Sequence, residues 1–213
     1  MKNTVTIIDY GINNIQSVIQ AFNYIDVKTI VADNSSKVET ATHIVLPGVG
    51  AFPEGMKKLK NLGLDEIIKK KVRHKSNILG ICLGMQMLFS KSFEHRESNG
   101  LSLISGKISK IQNNFECKER LPVIGWRKTT SITSNEKSDF KDILNNKIFY
   151  YLHSYEVKPD DKNNVVAFYE RCGERVNAAI QSDNIWGVQF HPEKSGTDGL
   201  NFLKAFSNLD SIK

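Results

Sequence analysis

Cysteine, proline and tryptophan are scarce here: three Cys, five Pro and two Trp among 213 residues. Cys82, Cys117 and Cys172 are odd in number and widely spaced, and no C-x-x-C occurs. That pattern argues against a disulfide framework or a zinc site and for a reducing, cytoplasmic setting. No apolar run approaches the length of a membrane span, so no membrane partner is expected. The N-terminus opens directly into Thr4-Val5-Thr6-Ile7-Ile8, which reads as a strand rather than a signal peptide. Internal repeats, low-complexity segments and an interdomain linker are missing too, so residues 1–213 read as one domain with a sizeable core. Negative charge is outweighed, giving a net +6. The densest basic run, Lys69-Lys70-Lys71-Val72-Arg73-His74-Lys75, follows Leu64, Ile67 and Ile68 and reads as the solvated end of an amphipathic helix. Without aromatic platforms beside it, it makes no case for nucleic acid.

What the chain does have is Gly80-Ile81-Cys82-Leu83-Gly84. Asn77 to Ile81 reads as a short buried strand, and Met85, Met87, Leu88 and Phe89 as the start of an apolar helix running to about Lys91. A strand that turns sharply into a helix crowds the backbone around the turn residue. Glycines two positions either side relieve the crowding, which is the logic of a nucleophile elbow, here with a thiol. A helix N-terminus favours an anion at Cys82, and the Leu83 N–H points at any oxyanion formed there. Alone, such a cysteine is more often a small buried hydrophobe. The far end of the chain changes the balance: Phe190-His191-Pro192-Glu193 follows the strand-like run Trp186 to Gln189. A cysteine nucleophile needs a base, and the base needs an orienting carboxylate. In an extended segment His191 and Glu193 point to the same side.

Elsewhere short apolar strands alternate with helices. Strands are expected at Thr4–Ile8, Val27–Val31 and His43–Leu46, with helices at about Ile15–Tyr24, 35–39, Glu54–Leu62 and Leu64–Lys75. Such alternation implies a parallel sheet, which binds ligands beyond the carboxyl ends of its strands. Strand three ends in Pro47-Gly48-Val49-Gly50-Ala51-Phe52, whose glycines allow backbone amides to approach a ligand. From Gly106 the texture becomes that of an antiparallel section, with strands near 106–111, 123–126, 148–152, 165–169 and 176–180, polar loops at 113–120 and 133–142, and a closing amphipathic helix from Gly199 to Leu209.

Together, the elbow through Gln86, the P-G-V-G-A-F loop, His153-Ser154-Tyr155 and His191-Pro192-Glu193 resemble the triad (class I) glutamine amidotransferases, over essentially the whole chain. Within them, Asp9-Tyr10-Gly11, the P-G-V-G-A-F loop and Gly125-Trp126 are most similar to the glutaminase subunits of imidazole glycerol phosphate synthases. The resemblance implies a flavodoxin-like α/β fold: a mostly parallel central sheet flanked by helices, with an added antiparallel β section in the C-terminal half. It implies Cys82 as nucleophile, His191 as general base and then acid, and Glu193 as the residue that orients it. Gly48, Val49 and Gly50 would form the oxyanion strand with Leu83, while Gly50, Gln86, Ser154 and Tyr155 would hold L-glutamine. No metal or cofactor is implied. The implied partner is a (β/α)₈-barrel cyclase that receives ammonia through a dry channel, with Asn14, Trp126 and Tyr151 as docking candidates. Two stretches depart from the family pattern. Asn13 replaces its second glycine and Gln16 its arginine, and Pro122-Val123-Ile124-Gly125-Trp126-Arg127 replaces P-H-M-G-W-N. They raise the alternative of a paralogue that feeds a cyclase-like barrel for amination of a surface sugar. A stand-alone γ-glutamyl hydrolase shares the fold and triad, but Gly84-Met85-Gln86 and the P-G-V-G loop favour the channelling subunit.

Overall fold

The computed structural model describes residues 4–12, 14–112, 117–132 and 140–210. The first half runs β1 (Val5–Ile8), α1 (Ile15–Tyr24), β2 (Thr29–Ala32), α2 (Ser35–Val38), β3 (His43–Leu46), α3 (Phe52–Asn61), α4 (Leu64–Arg73), β4 (Asn77–Ile81), α5 (Leu83–Met87) and β5 (Phe89–Ser92). The second half runs β6 (Ser98–Asn99), β7 (Ile104–Lys110), β8 (Val123–Ser131), α6 (Lys141–Leu144), β9 (Lys147–His153), β10 (Tyr155–Pro159), β11 (Val165–Arg171), β12 (Glu174–Ser182), β13 (Ile185–Val188) and α7 (Gly196–Ser207).

Nine strands form one sheet in the order β2-β1-β3-β4-β13-β12-β11-β8-β9. Strands β2 to β13 of that order are parallel, and from β12 onward every pairing is antiparallel. The sheet is therefore half parallel and half antiparallel. A second sheet, β10-β7-β5-β6, packs beside it. β1, β3, β4 and β13 are buried at every residue. Strands covered on both faces need continuous apolar runs, which these sequences supply. Helices α1 and α7 cover one face through Val18, Phe22, Phe202, Leu203 and Phe206. α3 and α4 cover the other through Met56, Leu59, Leu64, Ile67 and Ile68.

α4 carries Asp65 and Glu66 in its first turn and Lys70, Lys71 and Arg73 in its last, matching the helix dipole. The basic run is largely spent on local pairs, Lys69 with Glu66 at 2.8 Å and Lys70 with Glu39 at 2.9 Å. Among the described residues no helix is long and apolar enough to cross a membrane.

Three expectations change. The helix after the elbow stops at Met87, and Phe89–Ser92 joins β7 and β6 as a strand. Ser90 and Ser92 are weaker helix formers than the residues before them, and a sheet edge offers the backbone of this segment better partners than another helical turn. Cys117 and Cys172 are not free thiols: they form a disulfide, their Cα atoms 5.4 Å apart. A separation of 55 residues hides such a pairing, because only the fold brings the β11–β12 turn against the segment before β8. Of the two polar loops, 113–116 and 133–139 lie outside the described residues, as does Asn13. α6 (Lys141–Leu144) begins inside the second and runs past its end, anchored by buried Phe140 and Leu144.

Candidate active site

β13 lies beside β4 in parallel register, Val188 opposite Ile81, and the Cys82 amide donates to the Val188 carbonyl at 2.8 Å. The end of β4 and the segment after β13 thus leave the sheet side by side, at its carboxyl edge. That pairing alone brings Cys82 to His191 across 109 residues of chain.

The elbow is as sharp as its glycines imply. Cys82 sits at φ 54°, ψ −110°, a strained conformation for a residue with a side chain. A Cβ on Gly80 would come within 2.6 Å of Met85 Cα, and one on Gly84 would run into the Leu46 carbonyl of β3. α5 spans five residues, so its dipole is smaller than that of the helix expected from sequence. Two neighbours reach the sulfur directly: the Gln189 side-chain amide donates to Sγ at 3.6 Å, and the Leu152 carbonyl lies 3.8 Å away.

Cys82 opens onto a cavity of about 230 Å³. Val49, Gly50, Leu83, Gln86, Ser154, Tyr155 and His191 line it, together with Glu94, Pro122, Leu152 and His153. Gly48 lies behind this wall. A Cβ there would press on Tyr10 Oη, Leu83 Cβ and the Gly84 amide, so its place is set by packing against the elbow. Tyr10 Oη donates to the Pro47 carbonyl at 2.9 Å and pins the start of the loop. Burial, with the Cys82 and Asp9 charges adding, holds the Tyr10 phenol far above its ordinary value, so it stays a donor. Gly50, at φ 95° and with no atom near its missing Cβ, is the free end.

His191 Nδ1 lies 2.8 Å from Glu193 Oε1, and the side chains of both are almost fully buried. A 3₁₀ turn, Pro192–Lys194, folds the carboxylate back under the imidazole. Burial works against charge on His191, but the Cys82 sulfur and the Glu193 carboxylate outweigh it and push its pKa up to about 10. His191 Nε2 is buried and has no hydrogen-bond partner among the described residues. An imidazolium proton on that atom faces the Cys82 sulfur and the cavity that both residues line.

Sequence reasoning missed Glu94, His153 and Gln189 in the site. Glu94 puts a carboxylate on the cavity wall and also accepts from the Phe52 amide at 2.7 Å, at the start of α3. His153 is sealed between the Tyr155 carbonyl at Nδ1, 2.8 Å, and the Tyr169 hydroxyl at Nε2, 2.9 Å. Burial pushes its pKa down to about 4, the Tyr155 carbonyl working the other way, so it is a neutral wall. Gln189 carries no sequence signal beyond its place two residues before His191.

Of the docking candidates, Trp126 is 56% exposed and Asn14 is half-buried. Tyr151 is not on the surface: it is fully buried, with its hydroxyl 2.7 Å from Thr129 Oγ1. Alternation along β9 turns Tyr151 into the core and puts Tyr150 and Leu152 outside. Arg127 is engaged by Glu119 in a two-pronged pair. No group of three or more His, Cys, Asp or Glu side chains among the described residues is placed to hold a metal.

A cysteine elbow facing a His–Glu pair at the carboxyl edge of a doubly wound sheet fits the glutamine amidotransferase class-I family, whose model matches residues 6–208, and the chain belongs to that family. Its relatives narrow the class to the HisH branch. The chain is 37% identical to "Imidazole glycerol phosphate synthase subunit HisH 1" of Legionella pneumophila (strain Lens) over 97% of its length and 100% of the relative's. To the HisH subunit of Lactococcus lactis it is 38% identical, over 95% and 96%. To that of Chlorobaculum tepidum it is 36% identical, over 96% and 100%. Among solved structures, PurLQS from Thermotoga maritima has a similar fold, with a TM-score of 0.73 at 21% identity, covering 98% of this chain and 99% of that one. A crystal structure of a glutamine amidotransferase gives 0.73 at 14% identity, over 96% and 99%.

Proposed function

We propose that this chain is the glutaminase subunit of an imidazole glycerol phosphate synthase, hydrolysing L-glutamine to glutamate and ammonia and passing the ammonia to a (β/α)₈-barrel cyclase in histidine biosynthesis. The observation that carries the reading is Cys82 on its strained elbow, opening onto one small cavity with a His191 held by Glu193. Sγ attacks the side-chain carboxamide carbon of glutamine. The negative charge on its oxygen is received by the Leu83 amide and by an amide of the Val49–Gly50 loop. As the C–N bond breaks, His191 Nε2 gives its proton to the departing ammonia, leaving a glutamyl thioester. Water, deprotonated by the now neutral His191, cleaves the thioester and frees glutamate and the thiolate. Glu193 keeps the imidazole oriented and favours its charged form. Gln86, Ser154 and Tyr155 line the side of the cavity that receives the amino-acid end. Glu94 adds a carboxylate of opposite sign to the α-ammonium.

Ammonia released into neutral water is protonated and lost as a nucleophile, so the cavity needs a dry exit. A surface that suits a docked partner adjoins its mouth. Ile124, Trp126, Ile148 and Leu152 stand out at 58%, 56%, 51% and 37% exposure. They lie on one face of β8 and β9, with Ile124 opposite Leu152 and Trp126 opposite Tyr150. Leu152 also lines the cavity. Large apolar side chains grouped this way mark an interaction face. The free rotation available at Gly50 gives the partner something to set: an amide turned away from the oxyanion until docking favours the turned-in state.

The test is a glutaminase assay on the chain alone, with the histidine-pathway cyclase and its aminoribonucleotide substrate, and with a cyclase-like barrel from the same genome. Strong stimulation by the first barrel is expected. Full activity of the isolated chain removes the gating, and stimulation by the second barrel alone overturns the assignment to histidine synthesis.

A further inference from the structure

Behind the cavity, five groups form one continuous chain. His153 Nδ1 donates to the Tyr155 carbonyl at 2.8 Å, and Gln86 Nε2 donates to the same carbonyl at 3.3 Å. Gln86 Nε2 also donates to Gln189 Oε1 at 3.1 Å, and Gln189 Nε2 donates to Cys82 Sγ at 3.6 Å. His153, Gln86 and Gln189 are all buried, Gln189 completely.

The direction of this chain is fixed by donor and acceptor counting. The Tyr155 carbonyl can only accept, so the ring hydrogen of neutral His153 sits on Nδ1 and Tyr169 donates to Nε2. The Tyr155 carbonyl then takes two donors and fills both lone pairs. Turning the Gln86 amide over would set its oxygen against that carbonyl. Gln86 must therefore present its nitrogen, and both of its hydrogens are used, on Tyr155 and on Gln189. Gln189 in turn must present its oxygen to Gln86, which leaves its NH₂ facing sulfur. A buried amide hydrogen aimed at a sulfur favours the thiolate over the thiol, since charge-assisted hydrogen bonds are the stronger ones.

We infer that Gln189 is a further catalytic residue, its side-chain amide stabilising and aiming the Cys82 thiolate, and that Gln86 is a positioning residue that locks the Gln189 amide in its donating orientation. The inference rests on Cys82 being the nucleophile. The wall of the glutamine cavity and the charge of the nucleophile are then one connected unit, because Gln86 lines the one and governs the other through Gln189. The other titratable groups facing Cys82 are His191 with its Glu193, Tyr10 beneath the loop, and His153, Tyr155 and Glu94 on the wall. All six remain in the variants below.

The readout is the rate of Cys82 alkylation by iodoacetamide as a function of pH, followed by peptide mass spectrometry, on Gln189→Met, Gln189→Glu and Gln86→Met. Met matches the length of Gln without an amide. In Gln189→Met, alkylation at neutral pH is expected to slow on the order of tenfold and the profile to move to higher pH. Gln189→Glu, isosteric with the native side chain, replaces the donor by an anion and moves it in the same direction and further. Gln86→Met, which does not touch sulfur, moves it by a smaller step, through loss of the orientation lock. For Gln189→Met the glutamine kcat falls while KM holds, whereas Gln86→Met changes KM as well. Profiles superimposable on the wild type in the folded variants overturn the inference and reduce Gln189 to packing. Should the Gln189 variants not fold, an unmoved profile in Gln86→Met overturns it alone. If Cys82→Ala keeps its glutaminase activity, it is the nucleophile assignment that fails, a different result in a different assay.

Discussion

Tyr10→Phe isolates the hydrogen bond that pins the P-G-V-G loop. The substitution removes one oxygen and leaves the ring, which is buried to 1% exposure, in place. It deletes the 2.9 Å bond to the Pro47 carbonyl, and that carbonyl lies in a buried segment. Leaving a buried acceptor unpaired costs about 1–3 kcal/mol. For a domain of this size each kcal/mol lowers the melting temperature by roughly 2–4 °C, so a drop of roughly 2–12 °C is expected in calorimetry. The functional effect is separate. Gly48 rests on the same hydroxyl, and the Val49 and Gly50 amides hang from it. A looser loop presents an oxyanion donor for a smaller fraction of the time. Because these donors meet the developing charge and not the bound carboxamide, kcat should fall, by about tenfold for each 1.4 kcal/mol lost, with KM little changed. Steady-state glutaminase kinetics with the partner bound would show the split. A melting temperature and kcat both equal to wild type would refute the reasoning, and a rise in KM alone would move Tyr10 from the oxyanion loop to substrate binding.

Cys82→Ala should abolish glutamine hydrolysis while leaving the unfolding transition in place, and an electrophilic glutamine analogue should label Cys82 and spare Cys117 and Cys172. His191→Ala should lower kcat by roughly a hundredfold to ten-thousandfold and Glu193→Gln by less, because Glu193 orients the group that carries the proton; equal losses in single-turnover acylation would contradict these roles. Glu193→Gln also has a signature in pH. His191 is raised from 6.5 to about 10, so its contribution to stability is present in full below pH 6.5 and is lost as the pH climbs through 10. Removing a raising group lowers the upper end of that window, which chemical denaturation at several pH values would detect. Reducing Cys117–Cys172 opens a cross-link of 55 residues and should destabilise the fold by up to about 4 kcal/mol on chain-entropy grounds, read as a lower urea midpoint in dithiothreitol that a Cys117→Ser/Cys172→Ser variant reproduces without reductant.

Much of the site was legible in the residues because its chemistry is local. Gly80, Cys82 and Gly84 sit within one turn, and the collisions a Cβ would make at both glycines are consequences of a strand-to-helix turn that spacing alone describes. His191 and Glu193 are two residues apart, so the 2.8 Å pair needed only one tight turn. The half-parallel sheet was legible for a similar reason: buried strands have continuous apolar runs, and β1, β3 and β4 do.

What the sequence could not specify is set by contacts between distant segments. Phe89–Ser92 has no strand signal of its own and became a strand because β7 and β6 offer hydrogen bonds there. Tyr151 and Trp126 are both aromatics near strand ends. The register of β8 against β9 sends one into the core and the other to solvent. The Cys117–Cys172 bond depends on a hairpin turn meeting a segment 55 residues away, and Gln189 reaches Cys82 because β13 lies beside β4. Residue types and short spacings determined the Cys82 elbow, the His191–Glu193 pair and the class of fold. Strand order and register, which depend on loop closure and burial summed over the whole chain, decided which side chains surround them.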